Sequence, residues 1–427
     1  MKKRILFVTY GGGHVNLLIP LIKRFKAEGK YDLSILGLSV AHTVLKREGI
    51  PYKTYNDYFD PRLDRDIIPL GEKLADMWHI DGLGFSRRDS VKYFGFCMRD
   101  LIRSKGKERA WSLIKKNGRK AFLPVYIMER IIEQEKPDLL VTGICPRSER
   151  AAIEVCRKKK IPSIACNDYL ATEKRHHIRA DVITAMCEIT KINLVKSGHD
   201  PKKVMVVGQP ALDHILGNNR RLKKDAILKK LGIPKNRRIV VLATQPKNRS
   251  SFPVGERMLK KTAEALLSMS DSKRYHLVVK PHPCEGLQEY KDLLQSYEGK
   301  LNYTLTDTDV RHLIKISDVM ITFFSTVGFE SVLMGKPLIQ LNLTRRKNPV
   351  PLFKYGVSVE ARSAFELKAL LEQIIERSEL KRKFAKNRER YFHGVIDGNG
   401  TRRVAALMRG ILNHGVRSIY IGNQEIK

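Results

Sequence analysis

A chain of 427 residues is too long for one ordinary domain and comfortable for two, and 42 % hydrophobic content excludes wholesale disorder. Lysine and arginine number 80 against 45 acids, a formal net charge of +35 that calls for an anionic partner: nucleic acid, an anionic membrane surface or a phosphorylated substrate. Aromatics are only 7 %, and no RNP-like, homeodomain or zinc-finger spacing occurs, so nucleic acid is set aside.

Lys2, Lys3 and Arg4 precede a short apolar run, Ile5 to Val8, that stops at Gly11-Gly12-Gly13. The run is too short for a signal h-region and reads as a first β-strand, Arg4 to Thr9. A helix from Leu17 to Glu28, a strand from Asp32 to Leu38 and a helix from Val40 to Glu48 follow, the last stopped by Gly49-Ile50-Pro51. Leu139 to Thr142 and Ser163 to Cys166 are strands flanking a helix from Arg147 to Lys160. Their aliphatic runs lack alternation, which predicts strands covered on both faces and hence a parallel sheet. Residues 60–130 break this rhythm and read as a basic helical insert. Arg87 to Arg130 carries thirteen Lys/Arg against four Asp/Glu, interleaved with Phe94, Phe96, Trp111, Leu113, Phe122 and Tyr126.

Near Val204 to Pro210 a strand meets Gly208 and Pro210, and the highly charged segment Asn218 to Lys230 follows. That shift marks a domain boundary, giving 1–206 and 207–391, with helices over 392–427. The pattern then restarts, with strands at Arg238 to Thr244, His276 to Lys280, Val319 to Thr322 and Pro337 to Leu341. Helices are predicted at Gly255 to Met269, Val310 to Ile316 and Gly328 to Met334. The fold class is therefore α/β: two doubly wound, Rossmann-like domains facing each other across a cleft, with ligands at the carboxyl ends of the strands. No run approaches the ~20 apolar residues of a membrane span. The six cysteines form no CxxC pair, which fits a reducing cytoplasm and neither a disulfide framework nor a structural zinc site.

Three motifs carry chemistry. Gly11-Gly12-Gly13-His14 stands where the first strand gives way to the first helix, so Gly12 and Gly13 allow close backbone approach and His14 lies at the site; a glycine turn with a capping histidine is the bland alternative. Lys280-Pro281-His282-Pro283 ends a strand, with the prolines stiffening a loop whose ammonium and imidazole suit a phosphate oxygen. Gln245 also follows a strand of this half and lines the same place, or is a surface glutamine. The third is Ser325-Thr326-Val327-Gly328-Phe329-Glu330, between a strand and a helix. It offers hydroxyls and free backbone N–H groups to a phosphate, with Glu330 about one turn on for ribose hydroxyls. The plain reading of Ser325 is an N-cap and of Glu330 a charge favouring the helix dipole. Asp307-Thr308-Asp309 has a DxD pattern but directly precedes a helix and reads as a cap. His176-His177 has no spaced ligand partners, so no metal site is predicted.

With these residues in view the chain resembles the GT-B superfamily of nucleotide-sugar glycosyltransferases. The Gly11–His14 segment is similar to the glycine-rich loop of the enzyme that adds N-acetylglucosamine to lipid I, and to the Gly-His of UDP-glycosyltransferases. Gly208-Gln209-Pro210-Ala211-Leu212-Asp213 resembles the domain junction of lipid A disaccharide synthases and nucleotide-sugar 2-epimerases. Lys280-Pro281-His282-Pro283, Ser325-Thr326 and Asp397-Gly398 resemble bacterial surface-polysaccharide and teichoic-acid glycerophosphate transferases.

The resemblance implies an N-terminal acceptor domain, a C-terminal donor domain, last helices crossing back toward the former, and chemistry without a metal or other cofactor. On it, His14 is the base for the acceptor hydroxyl, and Lys280 and His282 neutralise the leaving phosphate. Gly12, Gly13, Gly208, Gln245, Ser325, Thr326, Gly328 and Glu330 hold the donor. The implied partners are a nucleotide-sugar donor, a glycan or lipid-linked acceptor and an anionic membrane surface, with the enzyme cytoplasmic and peripheral on the inner face of the plasma membrane. The basic insert would dock there, with Phe94 or Trp111 entering the interface. A CDP-linked glycerol- or ribitol-phosphate transferase, a 2-epimerase and a non-catalytic assembly subunit are the alternatives. The epimerase-type Gly-Thr-Arg-Pro-Glu start is absent, which counts against epimerisation.

Overall fold

The structure, a computed structural model, describes residues 2–82, 84–168, 170, 177–213, 223–245, 254–282, 285–344, 346–393 and 397–422. The chain divides into two units, residues 1–213 with 399–427, and residues 214–398. In the first, β1 (Lys3–Thr9), β2 (Tyr31–Gly37), β3 (Leu139–Thr142), β4 (Ser163–Cys166), β5 (Val182–Ala185) and β6 (Val204–Val206) form one parallel sheet. Its order is β2-β1-β3-β4-β5-β6. β3 and β4 are buried at every residue because helices cover both faces, which explains the unbroken aliphatic runs. The strand order turns back between β1 and β3, and such switch points open a crevice at the carboxyl ends of the strands.

The helix Gly12–Glu28 buries Val15, Leu18, Leu21, Ile22 and Phe25 at spacings of three and four, and ends on Gly29 at φ +63°. It begins five residues before the Leu17 start read from the sequence, so Gly12 and Gly13 enter its first turn. The low helix propensity of glycine and histidine hides that start in the sequence.

The insert is helical at Ile67–Trp78, Arg87–Lys105, Lys107–Asn117 and Val125–Glu135. Ser86 and Asp89 form a capping box that starts the second of these. The helices Gly400–His414 and Val416–Gly422 belong to the first unit. Val404, Met408 and Ile411 share a cluster with Ile5, Phe7, Leu21 and Phe25. The Asp213 carboxylate accepts the backbone N–H groups of Gly400 (2.8 Å) and Thr401 (2.6 Å), capping that return.

The second unit holds β7 (Arg238–Ala243), β8 (Tyr275–Lys280), β9 (Tyr303–Leu305), β10 (Val319–Thr322), β11 (Leu338–Leu341) and β12 (Val359–Ala361). They form a parallel sheet in the order β12-β11-β10-β7-β8-β9, which reverses between β7 and β10. Both units are thus doubly wound. The short strands β5, β9 and β12 and the helix Glu188–Lys196 carry too little pattern to be read from the sequence; β9 is only half-buried throughout. The five described cysteines are free and buried.

Candidate functional site

In the first unit the site forms at the switch point. Gly11 is extended and caps the helix beginning at Gly12, so Gly12, Gly13 and His14 stand at the carboxyl edge of β1. His14 Nδ1 lies 3.0 and 2.9 Å from the two carboxylate oxygens of Glu149. Glu149 sits in the first turn of the helix Ser148–Lys158, which follows β3, and its side chain is fully buried. The same carboxylate accepts the backbone N–H groups of Tyr10 (2.9 Å) and Cys145. This arrangement holds Nδ1 as the proton-bearing nitrogen and turns Nε2 to the other side. There Asp168, just beyond β4, places Oδ2 3.5 Å from Nε2.

Space as well as charge is set here. A Cβ on Gly143 would lie 2.9 Å from both Glu149 Oε2 and His14 Nδ1, so any other residue at the end of β3 would push the pair apart. A Cβ on Gly13 would come 3.4 Å from Asp168 Oδ2. An imidazole braced between two carboxylates can take a proton at Nε2 and be held as imidazolium. Beside it, Arg147 lies over the Tyr10 ring at 4.3 Å, and Tyr10, Trp78, Phe85, Tyr93 and Arg119 line a recess of 30 Å³, room for about one water.

In the second unit Lys280 ends β8 opposite Ala243, so Gln245 and His282 emerge side by side at the same edge. Lys280 Nζ is half-buried and 3.4 Å from Pro281 O. The His282 loop is knotted through Glu285. His282 N–H donates to Glu285 Oε2 (3.0 Å) and Thr244 Oγ1 (3.1 Å), Thr244 Oγ1 donates to Glu285 Oε2, and the Tyr290 hydroxyl donates to Oε1 (2.8 Å). Gln245 is buried, and among the described residues its Oε1 has no hydrogen-bond partner.

On the next strand, Ser325 caps the helix Thr326–Leu333, its Oγ accepting Val327 N–H at 3.3 Å, and Thr326 is exposed at the first turn. That turn carries no acidic residue, and with Val327 N–H committed to Ser325 Oγ and Gly328 N–H to Ser325 O (3.0 Å), what it offers an anion is chiefly the helix dipole. Burial pushes the Glu330 carboxyl up to about 7, with the Arg311 guanidinium opposing and Asp309 reinforcing the rise. Lys280, Gln245 and Ser325 with Thr326 thus follow three neighbouring strands, β8, β7 and β10.

A sequence profile of the CDP-glycerol:poly(glycerophosphate) glycerophosphotransferase family matches residues 161–409, more than half of the chain. The chain belongs to this family. It is a transferase on a GT-B fold, two Rossmann-like domains in tandem. Solved structures share that fold. The UDP-GlcNAc 2-epimerase from Neisseria meningitidis bound to UDP-GlcNAc is 14 % identical, with a TM-score of 0.61 over 95 % of this chain and 100 % of that one. MurG from Acinetobacter baumannii is 13 % identical, with a TM-score of 0.58 over 95 % and 99 %. The wall teichoic acid polymerase TagF is 11 % identical, with a TM-score of 0.51 over 96 % and 88 %. The comparison with curated proteins found no match.

The family segment contains Asp168 and every predicted site residue of the second unit, whereas His14 and Glu149 precede it. Gly208 also falls inside it, but in the first unit, buried beyond β6 at φ +82° and beside the Asp213 cap. Gly328 faces the sheet: a Cβ there would be 3.1 Å from Thr322 Cγ2 and 3.2 Å from a Leu338 methyl, so glycine lets the helix close on β10 and β11. Asp309 caps Val310–Ile316 through Arg311 N–H at 2.9 Å, and the Arg311 guanidinium beside it holds its carboxyl down at about 2. Pro283 and His176 lie outside the described residues. Among the described residues, no group of three or more His, Cys, Asp or Glu could hold a metal ion, and no helix is long and apolar enough to cross a membrane.

Glu149, Asp168, Gly143, Glu285 and Arg311 escaped the sequence reading. The acid in the first turn of the helix after β3 was the available signal for Glu149. One expectation needs correcting. Phe94 is buried against Trp78 (5.5 Å) and Phe122 (6.4 Å), so it is not presented to a membrane, and Trp111 is half-buried under Lys73 (4.6 Å). An amphipathic helix inside a cluster of helices spends its aromatic face on its neighbours. Met77, Ile80 and Tyr126 are the exposed apolar side chains near the basic turn Gly118–Ala121.

Proposed function

We propose that the protein transfers a polyol phosphate from a CDP-linked donor to a hydroxyl-bearing acceptor of a cell-envelope polymer. The family match over the whole second unit carries this reading, because that unit holds the anion-directed groups. The acceptor oxygen attacks the phosphorus that bears the polyol. The new P–O bond forms as the bond from that phosphorus to the bridging oxygen breaks, and CMP leaves. The hydroxyl proton goes to His14 Nε2, with Glu149 fixing the ring and Asp168 facing the imidazolium. Lys280, His282 and the N–H groups at Ser325-Thr326 stabilise charge on the departing CMP, and Glu330 and Gln245 position the nucleoside. Protein cations take the part a metal would play, so turnover should survive EDTA.

Purified protein incubated with CDP-glycerol, CDP-ribitol and UDP-N-acetylglucosamine, each with a polyol-phosphate primer, tests the assignment. CMP release and primer extension from a CDP-polyol are expected. Primer extension from the UDP-sugar and from neither CDP-polyol would replace phosphate transfer by sugar transfer. Loss of all turnover with EDTA, restored by magnesium, would overturn the metal-free mechanism.

Docking on anionic lipid at the cytoplasmic face is part of the proposal. Arg103, Lys105, Lys107, Arg109, Lys115, Lys116, Arg119 and Lys120 are all exposed. Trp78 packs 6.0 Å from Phe122, which ties the exposed Met77 and Ile80 to the Arg119–Lys120 turn. Each such cation near an anionic surface contributes about 1 kcal/mol.

A further inference from the structure

The strand starts of the second unit lie at the opposite end of its sheet from Lys280 and Ser325. There a cavity of about 270 Å³ opens between the residues preceding β10 and β11 and the helix Glu379–Phe392. Lys336, Lys381 and Arg388 line it, against a single carboxylate, Asp318. Asp318 already accepts Ile239 N–H at 2.7 Å. Lys336 Nζ meets a neutral acceptor, Ser317 O, at 2.8 Å, which uses one of its three donors. Arg388 Nη1 donates to Leu333 O at 3.2 Å, closing the end of the helix Thr326–Leu333, while its Nε is buried without a partner among the described residues. Phe384 supplies an apolar wall.

Burial pushes the Lys336 ammonium down to about 8, Lys224 and Lys315 push the same way, and Asp318 opposes them. Three cations thus line one cavity, Lys381 from its solvent side, with one committed carboxylate among them, and an entering anion would offset their repulsion.

We propose that this cavity is a second anion site, which takes a small phosphate-bearing molecule between Lys336, Lys381 and Arg388. Two ammonium groups and a guanidinium match a multiply charged phosphate better than a single carboxylate. The volume lies just under the ~300 Å³ at which ligand pockets usually begin, which suits pyrophosphate or a small phosphate ester rather than a nucleotide sugar. A bound phosphate would strap the helix Glu379–Phe392 to the starts of β10 and β11.

Isothermal titration of the full chain with inorganic pyrophosphate at low salt tests the site. Because Lys280 and His282 are themselves assigned to phosphate, the titration is run on the wild type, on Lys280→Ala with His282→Ala, on Lys381→Ala and on Lys336→Met. The donor-end variant should keep a pyrophosphate site, whereas Lys381→Ala and Lys336→Met should each weaken that site by about 10- to 100-fold, the effect of one charge-assisted hydrogen bond. Wild-type affinity in both Lys381→Ala and Lys336→Met, or loss of all binding in the donor-end variant, overturns the proposal.

Proton linkage gives a readout that misfolding would not mimic. At about pH 8, titrations in buffers of different ionisation enthalpy should show proton uptake on binding, as the anion draws Lys336 to its charged form. Lys381→Ala should retain that uptake at saturating pyrophosphate and Lys336→Met should lack it. Absence of uptake in the wild type overturns the assignment of Lys336.

Discussion

Replacing Glu149 by glutamine changes one oxygen to an amide nitrogen, in a site with no room to adjust. Oε1 accepts Tyr10 N–H at 2.9 Å, Oε2 accepts Cys145 N–H, and His14 Nδ1 touches both oxygens at 3.0 and 2.9 Å. Whichever oxygen becomes NH2, it confronts a backbone N–H that has no other direction to turn. One orphaned buried donor destabilises by about 1–3 kcal/mol. The second effect falls on the imidazole. Nδ1 then meets one oxygen and one NH2 in place of two oxygens, and the negative charge that steadies the imidazolium formed on proton uptake at Nε2 is gone. Loss of a general base lowers turnover by roughly 10²–10⁴-fold, and that is the expected fall in kcat at saturating donor and acceptor. Urea unfolding of the same preparation separates the two effects, since a merely destabilised chain that remains folded at assay temperature should turn over normally. A folded Glu149→Gln variant with wild-type kcat would refute the dyad.

Ser325→Ala combined with Thr326→Val should weaken binding of the donor nucleotide, with the lost cap lowering the melting temperature by only about 2–4 °C; equal affinity by calorimetry would end the phosphate assignment at that helix. Glu330 gives a pH signature. Its carboxyl rises from 4.5 to about 7 on burial, so the folded chain holds the proton more tightly than the unfolded one, and that stability is full below pH 4.5 and lost as pH climbs through 7. The loss amounts to about 3 kcal/mol, which Glu330→Gln should not show; a wild-type-to-variant difference in unfolding free energy that is the same at about pH 4 and pH 8 would refute it. Converting Lys115, Lys116, Arg119 and Lys120 to serine should abolish co-sedimentation with anionic vesicles at low salt, and wild-type protein that ignores such vesicles would remove the membrane from the proposal.

The strands β3, β4 and β10 and the helix Val310–Ile316 were legible to the residue, because short aliphatic runs bounded by glycine, proline or a capping acid have few other ways to fold. The motifs that follow strands were legible for the same reason: Lys280 and Ser325 are tied to a boundary that the pattern shows. Glu149 was not, since it belongs to a helix whose amphipathic stripe accounts for its neighbours, and only the β1–β3 pairing brings it to His14 across 135 positions. Asp168 and Arg311 share that difficulty. Phe94 failed in the opposite direction, because an amphipathic helix displays the same periodicity whether its apolar face meets lipid or other helices.

The first unit is assembled from two stretches of chain that a ribosome delivers far apart. Ile5, Phe7 and Phe25 emerge early, yet Val404, Met408 and Ile411, which complete the same cluster, follow the whole of the second unit. At ~5–20 residues per second, about 10–40 s separate residue 213 from residue 412. During that interval the contiguous unit 214–398 can close around its own core, while one side of the N-terminal sheet carries uncovered aliphatic side chains. Docking of Gly400–His414 is then the concluding step of biosynthesis, with Asp213 waiting as its latch. A message truncated before Gly400 would yield a client for chaperones and proteases rather than a smaller transferase.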